Sequence, residues 1–283
     1  MPAGPGETGA RSTVPGAAVV DDEWFTRELY HRRNHIFSLA CRLTGTRDDA
    51  EDLVQDTLLL AWKSRGQLRE RNALPSWIRR ICVNAFFQHA RRRAARELPE
   101  EHYVHSSKDG IDRWVPTEPA SSDPSPEDEL IVDEAVREIR DGCFTAMATR
   151  LPLEQRVAFA LVDIFGVEVA EVAVVLGKSV PAAKAVLHRA RENMNAFFGH
   201  HCEWVLPENA CRCRAWAAFV RDRATVRNRL KELGAEPPDF TDPAYAARSD
   251  PDTMSRVLAL FRSLPERKPD DAWYTSVIRA LRE

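Results

Sequence analysis

The sequence predicts an all-α protein in which two helical domains are joined by an acidic linker and followed by a helical C-terminal extension. Ala, Leu, Arg and Glu, which favour helices, are abundant, whereas alternating β-branched runs between turns are nearly absent. Of the 283 residues, 44% are hydrophobic, which is enough to bury cores in more than one domain. Stretches rich in Pro and Gly separate the helical blocks.

Composition divides the chain into five segments. Residues 1–20 are rich in Gly, Pro and Ala and are predicted to be disordered. A helical block at 21–97 precedes an acidic, Pro-rich linker at 98–128. A second helical block at 129–198 precedes a C-terminal extension at 199–283, which contains three of the six cysteines.

Two further features bear on the compartment. The N-terminus lacks a basic stretch followed by an apolar one, and no apolar run is long enough to span a bilayer. Six cysteines in a chain of this length do not form a secreted disulfide framework. We therefore expect a cytoplasmic protein without membrane insertion.

The net charge of −3 conceals a strong segregation of charge. Residues 63–96 contain ten basic residues and one acidic residue, whereas residues 97–134 contain twelve acidic and two basic residues. Charge blocks of this kind are typical of surfaces that bind partners.

The first helical block contains an acidic amphipathic helix at 46–62. Thr46 is expected to cap it, and an apolar stripe at helical spacing is expected to be buried. The opposite face is acidic but includes Leu59, and an apolar residue within a charged face suggests a protein contact. The alternative is a solvated face on a core helix.

A basic, aromatic segment follows at 66–96. Pro75 is expected to start a helix that buries Trp77 and Ile78. Its other side combines arginines with Asn84 and Gln88, which suits phosphates, base edges and unstacked bases. A basic solvated helix over an aromatic core explains the same pattern.

The second block has the layout of a helix-turn-helix at 151–193. One helix at 169–176 ends at Gly177, and a second helix begins at Val180. The second helix directs basic side chains outward, as do helices that enter the major groove of DNA.

These segments resemble the extracytoplasmic-function (ECF) sigma factors. DAEDLVQDTLLLAW at 49–62 and WIRRICVNAFFQHARRR at 77–93 are similar to region 2 of that family. The resemblance implies that the acidic face binds core RNA polymerase; its residues are Asp49, Glu51, Asp52, Gln55, Asp56 and Leu59. It also implies that the next loop and helix open and read the −10 element through Gln67, Arg69, Arg71, Asn72, Arg80, Asn84, Gln88, Arg91 and Arg92. Gln88 departs from the family, which usually has Asp there.

AAKAVLHRAR at 182–191 resembles the recognition helix of region 4 in the same family. The resemblance implies that the −35 element is bound by Lys184, His188, Arg189 and Arg191. Ala182 and Val186 replace the family's Thr and Arg, so we expect altered −35 recognition.

The extension begins with a cluster of His and Cys residues. His200, Cys202, Cys211 and Cys213 could supply the four ligands that zinc requires, although their spacing is not that of a standard finger. The alternative is a reduced, structural turn. The segment resembles a motif that follows region 4 in a subset of ECF sigma factors with a Cys-containing extension.

The sequence thus predicts a sigma factor whose partners are core polymerase, promoter DNA at the −10 and −35 elements and, by resemblance, an anti-sigma factor. It requires no cofactor, and zinc in the extension is an additional hypothesis. We expect no enzymatic activity, since common catalytic motifs are absent from the sequence. The alternative is a helix-turn-helix regulator that binds only duplex DNA, with or without a response to metal.

Overall fold

The computed structural model describes residues 21–94, 126–209, 211, 213 and 251–282. Within these ranges the chain forms ten α-helices: α1 (Asp22–His31), α2 (Arg33–Thr44), α3 (Arg47–Ser64), α4 (Leu74–Ala94), α5 (Pro126–Arg150), α6 (Leu153–Phe159), α7 (Val169–Leu176), α8 (Val180–His201), α9 (Pro251–Ser263) and α10 (Asp271–Ala280). The predicted all-α fold is confirmed. The predicted disordered N-terminus and nearly all of the linker lie outside the described residues.

Helices α1–α4 form the first bundle. Gly45 ends α2 with a φ of 89°, and the Thr46 hydroxyl then caps α3 by accepting a hydrogen bond from the Asp49 N–H at 3.3 Å. The predicted apolar stripe of α3 is buried in full; it consists of Ala50, Leu53, Val54, Thr57, Leu58 and Ala61. This packing leaves the acidic side of α3 facing outward.

Helices α5–α8 form the second bundle. Gly177 has a φ of 63° and ends α7, while the Ser179 hydroxyl caps α8. Both helix starts match the predicted helix-turn-helix. A π-helical turn at Ala160–Ile164 connects α6 to the loop before α7, and it places the Asp163 carboxylate inside the bundle.

The extension contributes one helix to each bundle. Phe261 of α9 packs against Phe144, Phe159 and Phe198 in the core of the second bundle. Tyr274 of α10 is buried in the core that α1 and α2 share. Apolar packing also continues directly from the first bundle into α6 and α7. No helix in the described ranges has both the length and the apolar character needed to cross a bilayer.

Candidate nucleic-acid interface

The acidic face of α3 contains a narrow strip of exposed side chains. Asp52 and Gln55 are exposed, and Leu59 is 39% exposed despite its apolar side chain. Glu51 and Asp49 are half-buried, and Glu51 forms a 2.9 Å ion pair with Arg47. Because the apolar Leu59 side chain is exposed to solvent among acidic residues, this strip has the composition of a protein-binding surface.

Asp56 has a different role from the rest of this face. Its carboxylate is 2.7 Å from the His89 imidazole and 3.8 Å from the Arg92 guanidinium, both on α4. Asp56 therefore links the acidic helix to the basic one, and a substitution there would disturb the contact between α3 and α4.

The basic face of α4 is an exposed stripe along four turns. Its exposed residues are Arg80, Asn84, Gln88, Arg91 and Arg92, all predicted for DNA binding. Their spacing near 4 residues places them above one another on one side of the helix. This stripe combines donors for phosphate with amides for base edges.

The loop between α3 and α4 consists of two 3₁₀ turns, Arg65–Gln67 and Arg71–Ala73. Buried Leu68 anchors it, while the predicted DNA-binding residues of the loop remain exposed; these are Gln67, Arg69, Arg71 and Asn72. The Arg71 guanidinium lies 3.2 Å from the Asp21 carboxylate and 4.7 Å from the centre of the Trp24 ring. The structure thus presents the loop beside the basic stripe.

Helix α8, the predicted recognition helix, exposes Lys184, His188 and Arg189. Arg191, the fourth predicted residue, instead donates two hydrogen bonds to the buried Asp163 carboxylate, at 3.0 and 2.6 Å. This contact raises the pKa of Arg191. The pair gives Arg191 a structural role inside the bundle, and its contact with DNA stays a prediction.

The cysteines of the extension lie together beside α5. Cys202 and Cys211 face each other across an isolated backbone bridge, and the Glu203 carboxylate accepts a hydrogen bond from the Cys213 N–H at 2.7 Å. The sequence reasoning missed Cys143 of α5. Burial raises the pKa of Cys143 well above its usual range, and the three neighbouring thiols raise it further.

Burial likewise raises the pKa of Cys202 to about 12 and raises that of Cys213, so these two thiols are protonated at neutral pH. In the described part of the chain, no three His, Cys, Asp or Glu side chains are placed to hold a metal ion. The side chain of His200 lies outside that part. A zinc site at this cluster stays a prediction.

Two ionic contacts between the bundles were also not predicted. Arg79 of α4 donates two hydrogen bonds to Glu171 of α7, both at 2.8 Å. Arg42, within the apolar run of α2, contacts Asp141 of α5 at 2.7 Å. The sequence signal for a buried ion pair at Arg42 was a single charged residue within an apolar run. The same signal was available for Asp163 of the second bundle.

Comparison with known proteins places this geometry in a family. The family model for Sigma-70 region 2 matches residues 29–96, and the model for Sigma-70 region 4 matches residues 141–194. The ECF RNA polymerase sigma factor SigM of Mycobacterium tuberculosis is 30% identical over 186 residues, which cover 65% of this chain and 82% of SigM. This chain belongs to the ECF sigma factor family.

Other members of the family match over shorter shares of their length. SigJ of Mycobacterium tuberculosis is 38% identical over 58% of this chain and 48% of SigJ. SigG of the same species is 31% identical over 57% of this chain and 45% of SigG. The chain thus spans about half the length of these two ECF sigma factors.

A solved structure of the sigma factor RpoE with the anti-sigma factor NepR from Bartonella quintana covers 70% of this chain and 98% of that chain. It has 22% sequence identity and a TM-score of 0.42.

The family models assign the helices to regions: α1–α4 contain the region 2 match, and α5–α8 contain the region 4 match. The predicted subset with a Cys-containing extension stays a prediction, as do the individual site residues.

Proposed function

We propose that this chain directs core RNA polymerase to promoters, with region 2 binding both the polymerase and the −10 element and region 4 binding the −35 element. The observation that carries the proposal is the pair of exposed faces on region 2. An acidic strip with an apolar centre lies on α3, and a basic stripe with amides lies on α4.

The charges of the two faces require different partners. The strip of Asp52, Gln55 and Leu59 would repel DNA, so it suits a protein, whereas the stripe on α4 suits nucleic acid. A regulator that binds only duplex DNA uses its helix-turn-helix and leaves the α3 strip without a role. The proposed activity works by binding alone, requires no cofactor or catalysis, and places the chain in the cytoplasm with the polymerase.

The polymerase contact is tested by Asp52→Arg combined with Leu59→Asp. We expect this variant to lose co-purification with core polymerase while keeping its helical circular dichroism. Glu23→Arg, which makes the same charge change as Asp52→Arg but on exposed α1, is the control for charge and should bind normally. Undiminished binding by the double variant would refute the role of the strip. Asp56 is left intact because it holds α3 to α4.

The DNA contacts are tested separately. Asn84→Ala should impair strand opening at the −10 element, which permanganate reactivity detects on a promoter fragment. Lys184→Ala should instead weaken binding to duplex −35 DNA by about 1 kcal/mol and lower its salt dependence. Normal opening by Asn84→Ala would contradict the role assigned to the α4 stripe.

A further inference from the structure

The C-terminal extension connects the two domains from one side. Helix α9 is part of the region 4 core, and α10 is part of the region 2 core. The short connection between them, 264–270, passes along α2. The Ser38 hydroxyl of α2 donates to the Arg267 carbonyl at 2.9 Å and accepts from the Arg267 N–H at 2.7 Å.

One carboxylate joins three segments of the chain at this connection. Asp141 of α5 accepts hydrogen bonds from Arg42 of α2 at 2.7 Å and from Arg267 of the extension at 2.6 and 3.1 Å. The Thr145 hydroxyl accepts a further bond from Arg42 at 2.6 Å. The Arg42 side chain is 3% exposed and that of Asp141 is 15% exposed, so water screens the network little.

Helix α10 attaches the end of the chain to region 2. Tyr274 is fully buried, and its hydroxyl donates to the Leu29 carbonyl at 3.0 Å. Asp271 pairs with Arg33 at 2.8 Å, and the Trp273 ring packs edge-on against Phe37. The attachment therefore combines a buried aromatic anchor with polar contacts around it.

Direct contacts between the two domains also hold region 4 against region 2. Arg79 pairs with Glu171 across the domain boundary, and Arg156 of α6 donates to the Leu43 carbonyl at 2.8 Å. Burial lowers the pKa of Arg156 to about 10, and its guanidinium donates to the backbone carbonyls of Leu43, Thr149 and Leu151. Among the described residues Arg156 has no carboxylate partner, so the cost of burying its charge is offset by these carbonyls and by the other contacts at the boundary.

This closed arrangement is incompatible with simultaneous binding to both promoter elements. The −10 and −35 elements are separated by about 25 base pairs, which is roughly 85 Å of duplex. The DNA-reading helix α4 and helix α7 of the helix-turn-helix are joined by ionic hydrogen bonds of 2.8 Å. Region 4 must therefore leave region 2 before both elements are bound.

We infer that residues 264–282 are an intramolecular clamp that holds regions 2 and 4 in a closed state, and that the clamp must release before both promoter elements are bound. This inference rests on the proposed function. The clamp contacts α1, α2 and α5, while the α3 strip and the α4 stripe stay exposed. It restricts the distance between the domains and leaves the binding faces uncovered.

The first experiment measures that distance in the full-length chain. Donor and acceptor dyes are attached through unnatural amino acids at the exposed positions Arg27 and Glu168. Arg267→Glu places two carboxylates together at Asp141, so energy transfer should fall. Lys268→Glu makes the same charge change at the exposed neighbouring position and should leave it unchanged. Equal energy transfer in both variants, with both folded, overturns the clamp.

The second experiment locks the clamp. Because the Ser38 hydroxyl touches the backbone of Arg267, Ser38→Cys with Arg267→Cys places two thiols within reach of a disulfide. With oxidised glutathione, this variant should lose promoter-dependent transcription by roughly tenfold or more. Reductant should restore transcription in the same sample. Ser38→Cys alone, treated identically, should transcribe normally.

The outcomes separate the clamp from the proposed function. If the oxidised and reduced double variants transcribe equally while mass spectrometry shows the disulfide, the clamp is overturned. If the wild-type chain does not support transcription with any core polymerase, the proposed function is wrong. The energy-transfer comparison then still decides whether the extension holds the domains together.

Discussion

The ion pair between Asp163 and Arg191 predicts a large and asymmetric effect of substitution. Asp163 is fully buried, and its carboxylate accepts two hydrogen bonds from Arg191. Arg191→Met keeps the apolar stem but leaves the buried carboxylate without those bonds. Breaking a buried pair from one side costs about 3–5 kcal/mol. Since Arg191 is 37% exposed and water can enter, we expect about 3 kcal/mol.

Arg189→Met is the matched control for this prediction. Arg189 is exposed two positions earlier on α8, so the same change should alter the free energy of unfolding by about 0.5 kcal/mol or less. The double variant Asp163→Asn with Arg191→Met removes the buried charge. It should recover about 1–2 kcal/mol relative to Arg191→Met alone, because a buried amide costs less than an unpaired carboxylate.

Urea denaturation of the full-length variants, followed by far-ultraviolet circular dichroism, measures these differences. In a thermal melt, the melting temperature of Arg191→Met should be lower than that of Arg189→Met by roughly 6–12 °C. Two results refute the reasoning: equal stability of the two single variants, or a double variant less stable than Arg191→Met. Binding to duplex −35 DNA below the melting range then shows whether Arg189 carries the DNA contact.

Three further predictions follow from local geometry. Gly45→Ala should destabilise the chain by about 2 kcal/mol, since Gly45 has a φ of 89° and the new Cβ would lie 2.7 Å from Thr149 Cγ2; adding Thr149→Ala should restore part of the loss, as thermal melts will show. Burial and the nearby Arg79 lower the pKa of His35. The neutral imidazole therefore stabilises the fold above about pH 6.5, and stability should fall as the pH drops below that value in the wild type but not in His35→Leu. Burial raises the pKa of Cys82 to about 12, so the wild type should lose on the order of 1 kcal/mol of stability between neutral pH and pH 10 through this thiol. Cys82→Ala should show a correspondingly shallower alkaline slope in denaturation midpoints.

Local patterns predicted the helices and their exposed faces well. The apolar stripe of α3 and the cap at Thr46 follow from periodicity and capping chemistry, which depend on neighbours within one or two turns. The turn at Gly177 follows from the left-handed backbone that ends α7. These signals are local, so the sequence contains them without knowledge of the tertiary contacts.

Contacts between distant segments were beyond the reach of such patterns. Arg42 and Arg267 both bind Asp141, across 99 and 126 positions of the chain, and no periodicity encodes which acid a lone arginine will find. Arg191 was predicted to bind DNA because it matches the family motif. Its partner in the structure, Asp163, lies on the π-helical turn, which the motif does not include. Cys143 was missed for the same reason.

The separation of the α3 strip from the clamp has a consequence for the kinetics of assembly. Under the proposed function, polymerase docks on Asp52 and Leu59 while regions 2 and 4 are still together, because neither side chain takes part in the closed contacts among the described residues. Encounter would then be second order in protein concentration, and the domain separation that follows would be first order. The observed rate of holoenzyme formation should rise with polymerase concentration and level off at the rate of that internal step. This plateau would measure how often the chain opens by itself.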